Sequence, residues 1–240
     1  MAESTFKRVL LKLSGEALSG VQEQGLNRDL TDQLALALNE AGQLGVELAV
    51  VVGGGNIFRG FSASSQGVER ELADYMGMLA TVINGLALED AIRRKGGQAR
   101  VLSAIPMVEV VETYSIRRAR NHLHKGRIVI LVGGTGKPYF STDTAAALRA
   151  VELDADALLK ATKVDGVYDA DPLHRPDAKH FPRVSYMEII NRRLRVMDTT
   201  AVVLCMENGV PIIVFNMTEK GNLKRILLGE EVGTLVKEEC

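Results

Sequence analysis

Residues 47–60 read Glu-Leu-Ala-Val-Val-Val-Gly-Gly-Gly-Asn-Ile-Phe-Arg-Gly, an apolar run that ends directly in a cluster of glycines. A second apolar run, Ile128–Val132, is followed by Gly133, Gly134 and Gly136. Apolar runs without polar alternation are typical of strands covered on both faces. In an open parallel sheet, ligands bind at the carboxyl ends of the strands, where glycine lets backbone N–H groups approach an anion. The two stretches therefore predict two anion-binding turns at one edge of an α/β sheet, although simple tight turns are the alternative.

The rest of the chain alternates in the same way between short apolar runs and amphipathic stretches. Further strands are predicted at Val9–Leu13, Arg100–Ile105, Ala157–Lys160 and Ile212–Phe215. Helices are predicted near 28–43, 68–95, 115–124, 142–152, 185–194, 198–208 and 221–228. This order predicts a mainly parallel sheet with right-handed crossovers, and without repeats or linkers we expect a single domain over 1–240. Three of the six prolines lie in 169–183, which is predicted to be a loop.

Composition restricts the class of protein. The 240 residues carry 29 Lys and Arg against 30 Asp and Glu, a net charge of −1 that argues against a nucleic-acid partner. Two cysteines, Cys205 and Cys240, cannot form a disulfide framework, and no signal peptide or membrane-spanning run is visible. We therefore expect a cytoplasmic protein without a membrane partner. The 23 glycines exceed the roughly 17 of an average chain, and the two clusters account for the excess.

Neither glycine cluster matches a common nucleotide-binding signature. A dinucleotide motif that begins at Gly53 requires glycine at 58, where the chain has Phe58. The Walker A pattern that ends at Lys137 fails because Leu131 replaces its first glycine and Pro138 replaces its Ser or Thr. A P-loop kinase and a dehydrogenase with the Rossmann signature are thus excluded, and phosphates would have to be bound by another arrangement.

Charged residues stand where burial makes them costly. Lys12 and Lys160 lie in apolar strands, where an ammonium group needs a compensating anion unless it snorkels to the strand end. Parallel strands would bring both to the glycine-rich edge, which predicts a polyphosphate cradle. Asp143 is either an N-cap or a carboxylate that orients Lys12 or a Mg²⁺-bound phosphate. Arg59 is a phosphate ligand or a solvated loop residue, and Asp74 a ribose ligand or an exposed acid.

Two helices have two possible interpretations each. The stretch 76–88 has no charge and carries small residues every four positions, which fits either a core helix or a subunit interface; these residues are Gly77, Thr81 and Gly85. The stretch 115–124 is basic, typical of a solvated face or of an effector-phosphate site; its arginines are Arg117, Arg118 and Arg120. The histidines show no triad or metal spacing, and no protein metal site is predicted.

An ordered set of motifs then resembles the bacterial UMP kinases of the amino acid kinase family, from about Lys7 to Val236. The matching stretches are LLKLSGEAL at 10–18, GGGNIFRG at 53–60, MGMLATVINGLA at 76–87, SAIP at 103–106, TGKPYFSTDTAA at 135–146, LLKATKVDGVYDADP at 158–172, VMD at 196–198 and VFNM at 214–217. The resemblance implies a three-layer αβα sandwich and a homohexamer. It also implies transfer of the ATP γ-phosphoryl group to UMP, with Mg²⁺, in pyrimidine nucleotide biosynthesis.

The resemblance also assigns residues. It implies ATP contacts at Lys12, Leu13, Ser14, Gly15, Gly55, Arg59, Thr162, Tyr168 and Asp171. It implies UMP contacts at Gly54, Asp74, Thr135, Gly136, Lys137, Pro138, Tyr139, Phe140, Ser141 and Thr142. The transfer itself would depend on Lys12, Arg59, Asp143 and Lys160. GTP activation and UTP inhibition would involve the loop Gly20, Val21, Gln22, Glu23, Gln24 and Gly25.

The expected chemistry does not require a strong general base. The second pKa of a phosphate monoester is near 6, so UMP is mostly dianionic at neutral pH and its oxygen is already nucleophilic. Catalysis then rests on positioning and charge neutralisation. The alternatives are a small carboxylate or carbamate as the acceptor, a nucleotide sensor without catalysis, and a DNA-binding regulator that uses the basic helix.

Overall fold

The computed structural model describes residues 3–20, 25–58, 67–172, 174–175, 177–194 and 196–238. Its strands are β1 (Arg8–Leu13), β2 (Glu47–Val52), β3 (Ala99–Ser103), β4 (Glu112–Thr113), β5 (Ile128–Val132), β6 (Ala157–Thr162), β7 (Val167–Tyr168), β8 (His180–Phe181), β9 (Arg183–Ser185), β10 (Ile212–Asn216) and β11 (Thr234–Lys237). Its α-helices are α1 (Arg28–Gly42), α2 (Arg70–Arg94), α3 (Ile116–His124), α4 (Thr142–Glu152), α5 (Tyr186–Arg192), α6 (Thr199–Glu207) and α7 (Asn222–Leu227). A short 3-10 helix, Gly15–Leu18, follows β1.

The larger sheet is mainly parallel, as predicted. Within the described ranges its strand order is β4-β3-β5-β2-β1-β6-β10-β11-β9, and only the β10–β11 pair is antiparallel. The central strand β1 pairs with β2 and β6, and β2 pairs with β5. Because parallel strands end at the same edge, the turns that follow these four strands meet there.

Alternate residues of the strands belong to two cores, one on each face of the sheet. Leu11 and Leu159 pack on the face covered by α1, α2 and α7. Leu10 and Leu158 pack on the opposite face, which α3, α4, α5 and α6 cover. The chain therefore folds as a three-layer αβα sandwich, which confirms the expected fold class.

The predicted strands and helices are present with small shifts at their ends. The strand predicted over Arg100–Ile105 ends at Ser103. The pattern missed β4, β7, β8, β9 and β11, which have only two to four residues each. The stretch 169–183, predicted to be a loop, contains β8 and the first residue of β9. Strands this short carry too little periodicity to be recognised without their partners.

Helix α2 has a different environment on each of its two sides. Gly85 packs so closely that a Cβ there would lie 2.5 Å from Val132 Cγ1. The opposite side exposes a row of apolar side chains, Leu72, Met76, Leu79 and Ile83, at 39 to 54%. Thr81 and Gly85 therefore face the core, whereas a Cβ on Gly77 would meet nothing within 4 Å, and the exposed row remains available as an interface. Although α2 runs for 25 residues, neither it nor any other described helix is both long and apolar enough to cross a membrane.

Candidate active site

Lys12 and Lys160 converge on one carboxylate. They are register partners on the adjacent parallel strands β1 and β6, and their positions place them on the face of the sheet that α4 covers. Asp143, in the first turn of α4, lies between them. Its Oδ1 is 2.9 Å from Lys12 Nζ, and its Oδ2 accepts a hydrogen bond of 2.7 Å from Lys160 Nζ. The sheet register thus brings two cations and one anion together at the strand ends.

The charges of this trio depend on one another. Burial on its own raises the pKa of the Asp143 carboxyl, but the two ammonium groups outweigh this effect and hold that pKa below its ordinary value. Burial lowers the pKa of Lys160, and the Asp143 carboxylate opposes the shift. All three side chains are only 11 to 15% exposed. With both amines protonated and the carboxyl group ionised, the trio carries one net positive charge, which is suited to binding an anion.

Asp143 does not cap its helix, so the N-cap interpretation was wrong. Ser141 is the N-cap of α4, and its Oγ accepts a hydrogen bond of 3.1 Å from the Thr144 backbone N–H. Asp143 can face the sheet because Ser141, two positions earlier, already accepts the hydrogen bond from the N-terminal turn of α4. The orientation of Lys12 by Asp143, which the sequence offered as one alternative, is the arrangement found.

Two residues of the segment 196–198, just before α6, contact the trio or the start of α4. The Val196 carbonyl accepts a hydrogen bond from Lys160 Nζ. Asp198 is the N-cap of α6, and its carboxylate also accepts hydrogen bonds from the hydroxyls of Ser141 and Thr144. Asp198 therefore joins the starts of α4 and α6. The sequence motif VMD included this residue, but nothing in its spacing indicated the contact.

The first glycine turn packs against the turn after β1. A Cβ on Gly15 would lie 2.9 Å from the Gly55 backbone nitrogen, and one on Gly53 would lie 3.0 Å from the Gly15 nitrogen. A Cβ on Gly54 would lie 2.6 Å from the Gly77 carbonyl of α2. Glycine is required in this turn because backbone approaches backbone on two sides. Ser14, which precedes Gly15, is the N-cap residue of the 3-10 helix.

The second glycine turn has a left-handed backbone. Gly133, Gly134 and Gly136 have φ values of +76°, +58° and +78°, a region that L side chains rarely adopt. The Gly133 N–H donates a hydrogen bond of 2.7 Å to Thr81 Oγ1 of α2. The conformation of this turn is thus set both by glycine and by a contact with the neighbouring helix.

Asp74 holds the segment that follows the second turn. Its Oδ2 accepts a hydrogen bond of 2.8 Å from the Tyr139 backbone N–H, and its carboxylate also pairs with Arg70. Tyr139 has a φ of +72°, which is strained for a non-glycine residue. Asp74 is therefore tied to the predicted acceptor segment and is not an isolated surface acid.

A groove of about 680 Å³ lies between this segment and α6. The predicted residues along it are Thr135, Lys137 and Phe140, and Phe140 is 54% exposed. Gly136, Pro138, Ser141 and Thr142 belong to the same continuous segment. The groove thus brings three of the predicted acceptor residues together with side chains of α4 and α6, and the assignment of UMP to this segment stays a prediction.

The remaining predicted nucleotide residues follow β1 and β6. Leu13 ends β1 and is fully buried. Thr162 ends β6, and its hydroxyl hydrogen-bonds the Val164 and Phe215 carbonyls. Tyr168 forms β7 with Val167, and Asp171 follows it.

Some predicted residues cannot be placed. Arg59 and residues 21–24 lie outside the described residues, whereas Gly20 and Gly25 lie within them. The Gly25 N–H donates to the Asn56 carbonyl at 2.8 Å. Gly25, at the end of the predicted effector loop, therefore contacts the first glycine turn.

Several basic side chains of helix α3 contact neighbouring acids. Arg118 lies 3.5 Å from Glu112, and Arg120 forms an ion pair with Asp154. His122 is hydrogen-bonded to Glu112 at 3.1 Å. These pairs leave less free positive charge than the sequence suggested, which weakens the DNA-binding alternative.

The fold and the cationic site at the strand ends define a phosphate-handling α/β protein, and the family model of the amino acid kinase family matches residues 7–216. The chain belongs to the amino acid kinase family, which confirms the family inferred from the motifs. It is similar to a UMP kinase from Bacillus anthracis, with 40% identity, a TM-score of 0.95 and coverage of 98% of this chain and 97% of that one.

Two further solved structures resemble the chain. A UMP kinase from Ureaplasma parvum has 35% identity and a TM-score of 0.91, with 99% of this chain and 100% of that one covered. A uridylate kinase from Archaeoglobus fulgidus has 30% identity and a TM-score of 0.73, with 95% and 99% covered. The similarity thus extends over nearly the whole chain in each case.

Proposed function

We propose that this protein is a UMP kinase, which transfers the γ-phosphoryl group of ATP to UMP and releases UDP and ADP. The observation that carries the proposal is the Lys12–Asp143–Lys160 trio at the sheet edge where the two glycine turns also lie. The similarity to UMP kinases at 30 to 40% identity supports UMP as the acceptor.

The side chains act by positioning and neutralising charge. The ammonium groups of Lys12 and Lys160 face the strand ends, where they stabilise the negative charge of the phosphoryl group in the transition state of transfer. Asp143 keeps the two ammonium groups together and in place. No residue needs to remove a proton from UMP, because its phosphate is mostly dianionic at neutral pH. The reaction therefore requires alignment of two polyanions rather than a general base.

The two nucleotides are assigned to adjacent parts of this sheet edge, and they meet at the first glycine turn. We assign the ATP phosphates to Lys12, Ser14, Gly15 and Gly55, with the adenosine beside Thr162, Tyr168 and Asp171. We assign UMP to Gly54, Asp74 and the segment 135–142. Arg59, outside the described residues, is assigned to the ATP side.

Mg²⁺ would reach the site bound to ATP. Among the described residues, no group of three or more His, Cys, Asp or Glu side chains is arranged to hold a metal ion, and both Asp143 oxygens face lysines. Mg²⁺ in kinases is often held through substrate phosphates and water rather than by an all-protein cage. The donor set fits that mode, and the ion would supply further neutralisation of phosphate charge.

Assembly and regulation extend the proposal. The exposed row Leu72, Met76, Leu79 and Ile83 on α2 supports a subunit interface, and we propose a homohexamer built partly through it. GTP activation and UTP inhibition are proposed to act through the loop 20–25, whose last residue contacts the first glycine turn. We further propose that the chain is one domain and acts in the cytoplasm.

The decisive experiment measures ADP formation by the purified protein with MgATP and a series of acceptors. UMP should give the highest kcat/KM, with CMP, acetylglutamate and carbamate as the alternative acceptors. A preference for acetylglutamate or carbamate would mean that the protein has a different acceptor and is not a UMP kinase. Binding of ATP and UMP without ADP release would indicate a sensor. Repeating the assay with GTP and with UTP tests the proposed regulation.

A further inference from the structure

Helix α2 contacts both glycine turns through two side chains three residues apart. Thr81 Oγ1 accepts the hydrogen bond of the Gly133 N–H at 2.7 Å. Asn84 Nδ2 donates a hydrogen bond of 2.7 Å to the Gly53 carbonyl. Residues at i and i+3 lie on the same side of a helix, so one side of α2 meets both turns.

The contact of Asn84 with the first turn is completed by a second amide. Asn84 Nδ2 also donates to Asn56 Oδ1 at 2.7 Å, and Asn56 Nδ2 donates to Asn84 Oδ1 at 3.1 Å. Asn56 Nδ2 donates in addition to the Gly25 carbonyl at 2.7 Å. Both amides are fully buried, at 0 and 1% exposure, and all four of their N–H hydrogens have an acceptor. The pair therefore has one well-defined geometry.

The geometry of the Gly53 peptide has a consequence for the turn. The C=O and N–H of one trans peptide unit point in opposite directions. Because Asn84 holds the Gly53 carbonyl towards α2, the Gly54 N–H of the same unit points away from Asn84. The side chain thus sets the direction of a backbone donor in the turn assigned to nucleotide binding.

We propose that Thr81 and Asn84 are positioning residues that fix the distance and orientation between the two phosphate-binding turns. The inference rests on the proposed phosphoryl transfer between nucleotides bound at these turns. A rigid helix that hydrogen-bonds both turns holds donor and acceptor in line. Neither side chain needs to touch a nucleotide for this role.

A structural role and a positioning role predict different effects of substitution. Removal of either side chain leaves the buried Gly133 N–H or the buried Gly53 carbonyl without its partner, so either role predicts a loss of about 1–3 kcal/mol in stability, and only the positioning role predicts a loss of kcat in the folded protein. Apolar residues at positions 81 and 84 would fill the space next to the turns, but they would not fix the direction of the Gly133 N–H or the Gly53 carbonyl. Displacement of reacting groups by about 1 Å can lower a rate by about a hundredfold.

The test uses the isosteric variant Thr81→Val, with Thr81→Ser as the rescue that keeps the hydroxyl. Thr31→Val is the matched control: both threonines are buried, the Thr81 hydroxyl donates to the Met78 carbonyl at 2.6 Å, and the Thr31 hydroxyl donates to the Asn27 carbonyl at 2.7 Å. We expect Thr81→Val to lower kcat at least about tenfold, while the Kd of ATP and of UMP, each measured alone, change less than about twofold. Thr81→Ser and Thr31→Val should retain near wild-type kcat.

Asn84→Leu provides a second, independent variant, and it should show the same loss of kcat with separate affinities retained. A readout without catalysis is the change in UMP affinity when a non-hydrolysable ATP analogue is bound, which should differ from wild type in Thr81→Val but not in Thr31→Val. Normal kcat and normal coupling in folded Thr81→Val would overturn the inference, as would a loss confined to the Kd of UMP. Wild-type protein that does not phosphorylate UMP would instead overturn the proposed function, and the coupling measurement would still decide the positioning role.

Discussion

Lys12 and Lys160 occupy the same register position on adjacent parallel strands, and the carboxylate of Asp143 contacts both of their ammonium groups. Side chains at paired positions of a parallel sheet lie on the same face, so two like charges are brought close together. Asp143 compensates this repulsion from the start of α4. The site is thus a cluster of two basic side chains and one acidic side chain, built from three separate segments of the chain.

Lys12→Ala should abolish most of the turnover while leaving UMP binding largely intact. Its ammonium group neutralises charge that develops during transfer, so we expect kcat to fall about 100- to 1,000-fold and the Kd of UMP to change much less. Steady-state kinetics and calorimetric titration with UMP measure the two effects. Lys125→Ala is the control, because Lys125 is exposed beyond α3, close to the start of β5 at the opposite edge. Near-normal turnover in Lys12→Ala would remove this residue from the mechanism.

Asp143→Asn should lower both activity and stability, and the loss of stability should depend on pH. The variant leaves two ammonium groups without an anion, which costs about 1–3 kcal/mol of unfolding free energy at pH 7. The folded-state pKa of Asp143 lies below its ordinary value of 3.8, so its contribution is complete above that value and is lost as the pH falls through the lower folded pKa.

Urea unfolding of wild type and Asp143→Asn between pH 3 and pH 7 measures this dependence. The difference in unfolding free energy should shrink towards pH 3, because an acid group that takes up a proton becomes as neutral as the amide. A difference that stays constant over the whole range would mean that the carboxylate charge is not what stabilises the site.

Gly54→Ala should destabilise the protein and impair the acceptor side. A Cβ at this position would lie 2.6 Å from the Gly77 carbonyl and 2.8 Å from Ala80 Cβ, so the turn or α2 must move. We expect a loss of about 1–3 kcal/mol in unfolding free energy and a raised KM for UMP. Gly42→Ala is the control, since its Cβ would meet nothing within 4 Å in α1, and it should stabilise the protein by up to about 1 kcal/mol. Equal melting temperatures for the two variants would refute the close approach.

Asp198→Ala should lower kcat by more than the loss of a helix cap explains. The variant removes the N-cap of α6, worth about 1 kcal/mol, together with the acceptor of the Ser141 and Thr144 hydroxyls beside Asp143. We expect kcat to fall about tenfold. Ser185→Ala removes a comparable cap from α5 and should reduce the melting temperature without changing kcat. If both variants lowered kcat to the same extent, the link between α6 and the site would be irrelevant to catalysis.

The sequence predicted most of the framework because its signals are local. The apolar runs that contain Lys12 and Lys160, and those that end at Gly53 and Gly133, identify central strands and the edge at which their turns meet. The short strand Thr234–Lys237 and its antiparallel pairing with β10 were missed, since four residues show no distinctive period and the pairing direction depends on a partner distant in the chain.

The contacts of the candidate site also depend on residues that are distant in the chain. The motifs predicted that Asp143 and Asp74 act at a nucleotide site, but the hydrogen bond between Asp74 and the strained Tyr139 is seen only in the folded chain. The amide pair of Asn56 and Asn84 joins residues 28 positions apart, and no spacing rule links them.

The alternation of strands and helices, the two glycine turns and the two lysines in apolar strands follow from the sequence alone. Each of these features shows in the pattern of apolar, polar and glycine residues within a short stretch of chain. Three contacts are seen only in the folded chain: Asp143 bridges the lysines, Ser141 rather than Asp143 caps α4, and α2 contacts both turns. These contacts depend on sheet register and on the packing of helices against it, which fix distances between residues far apart in the chain.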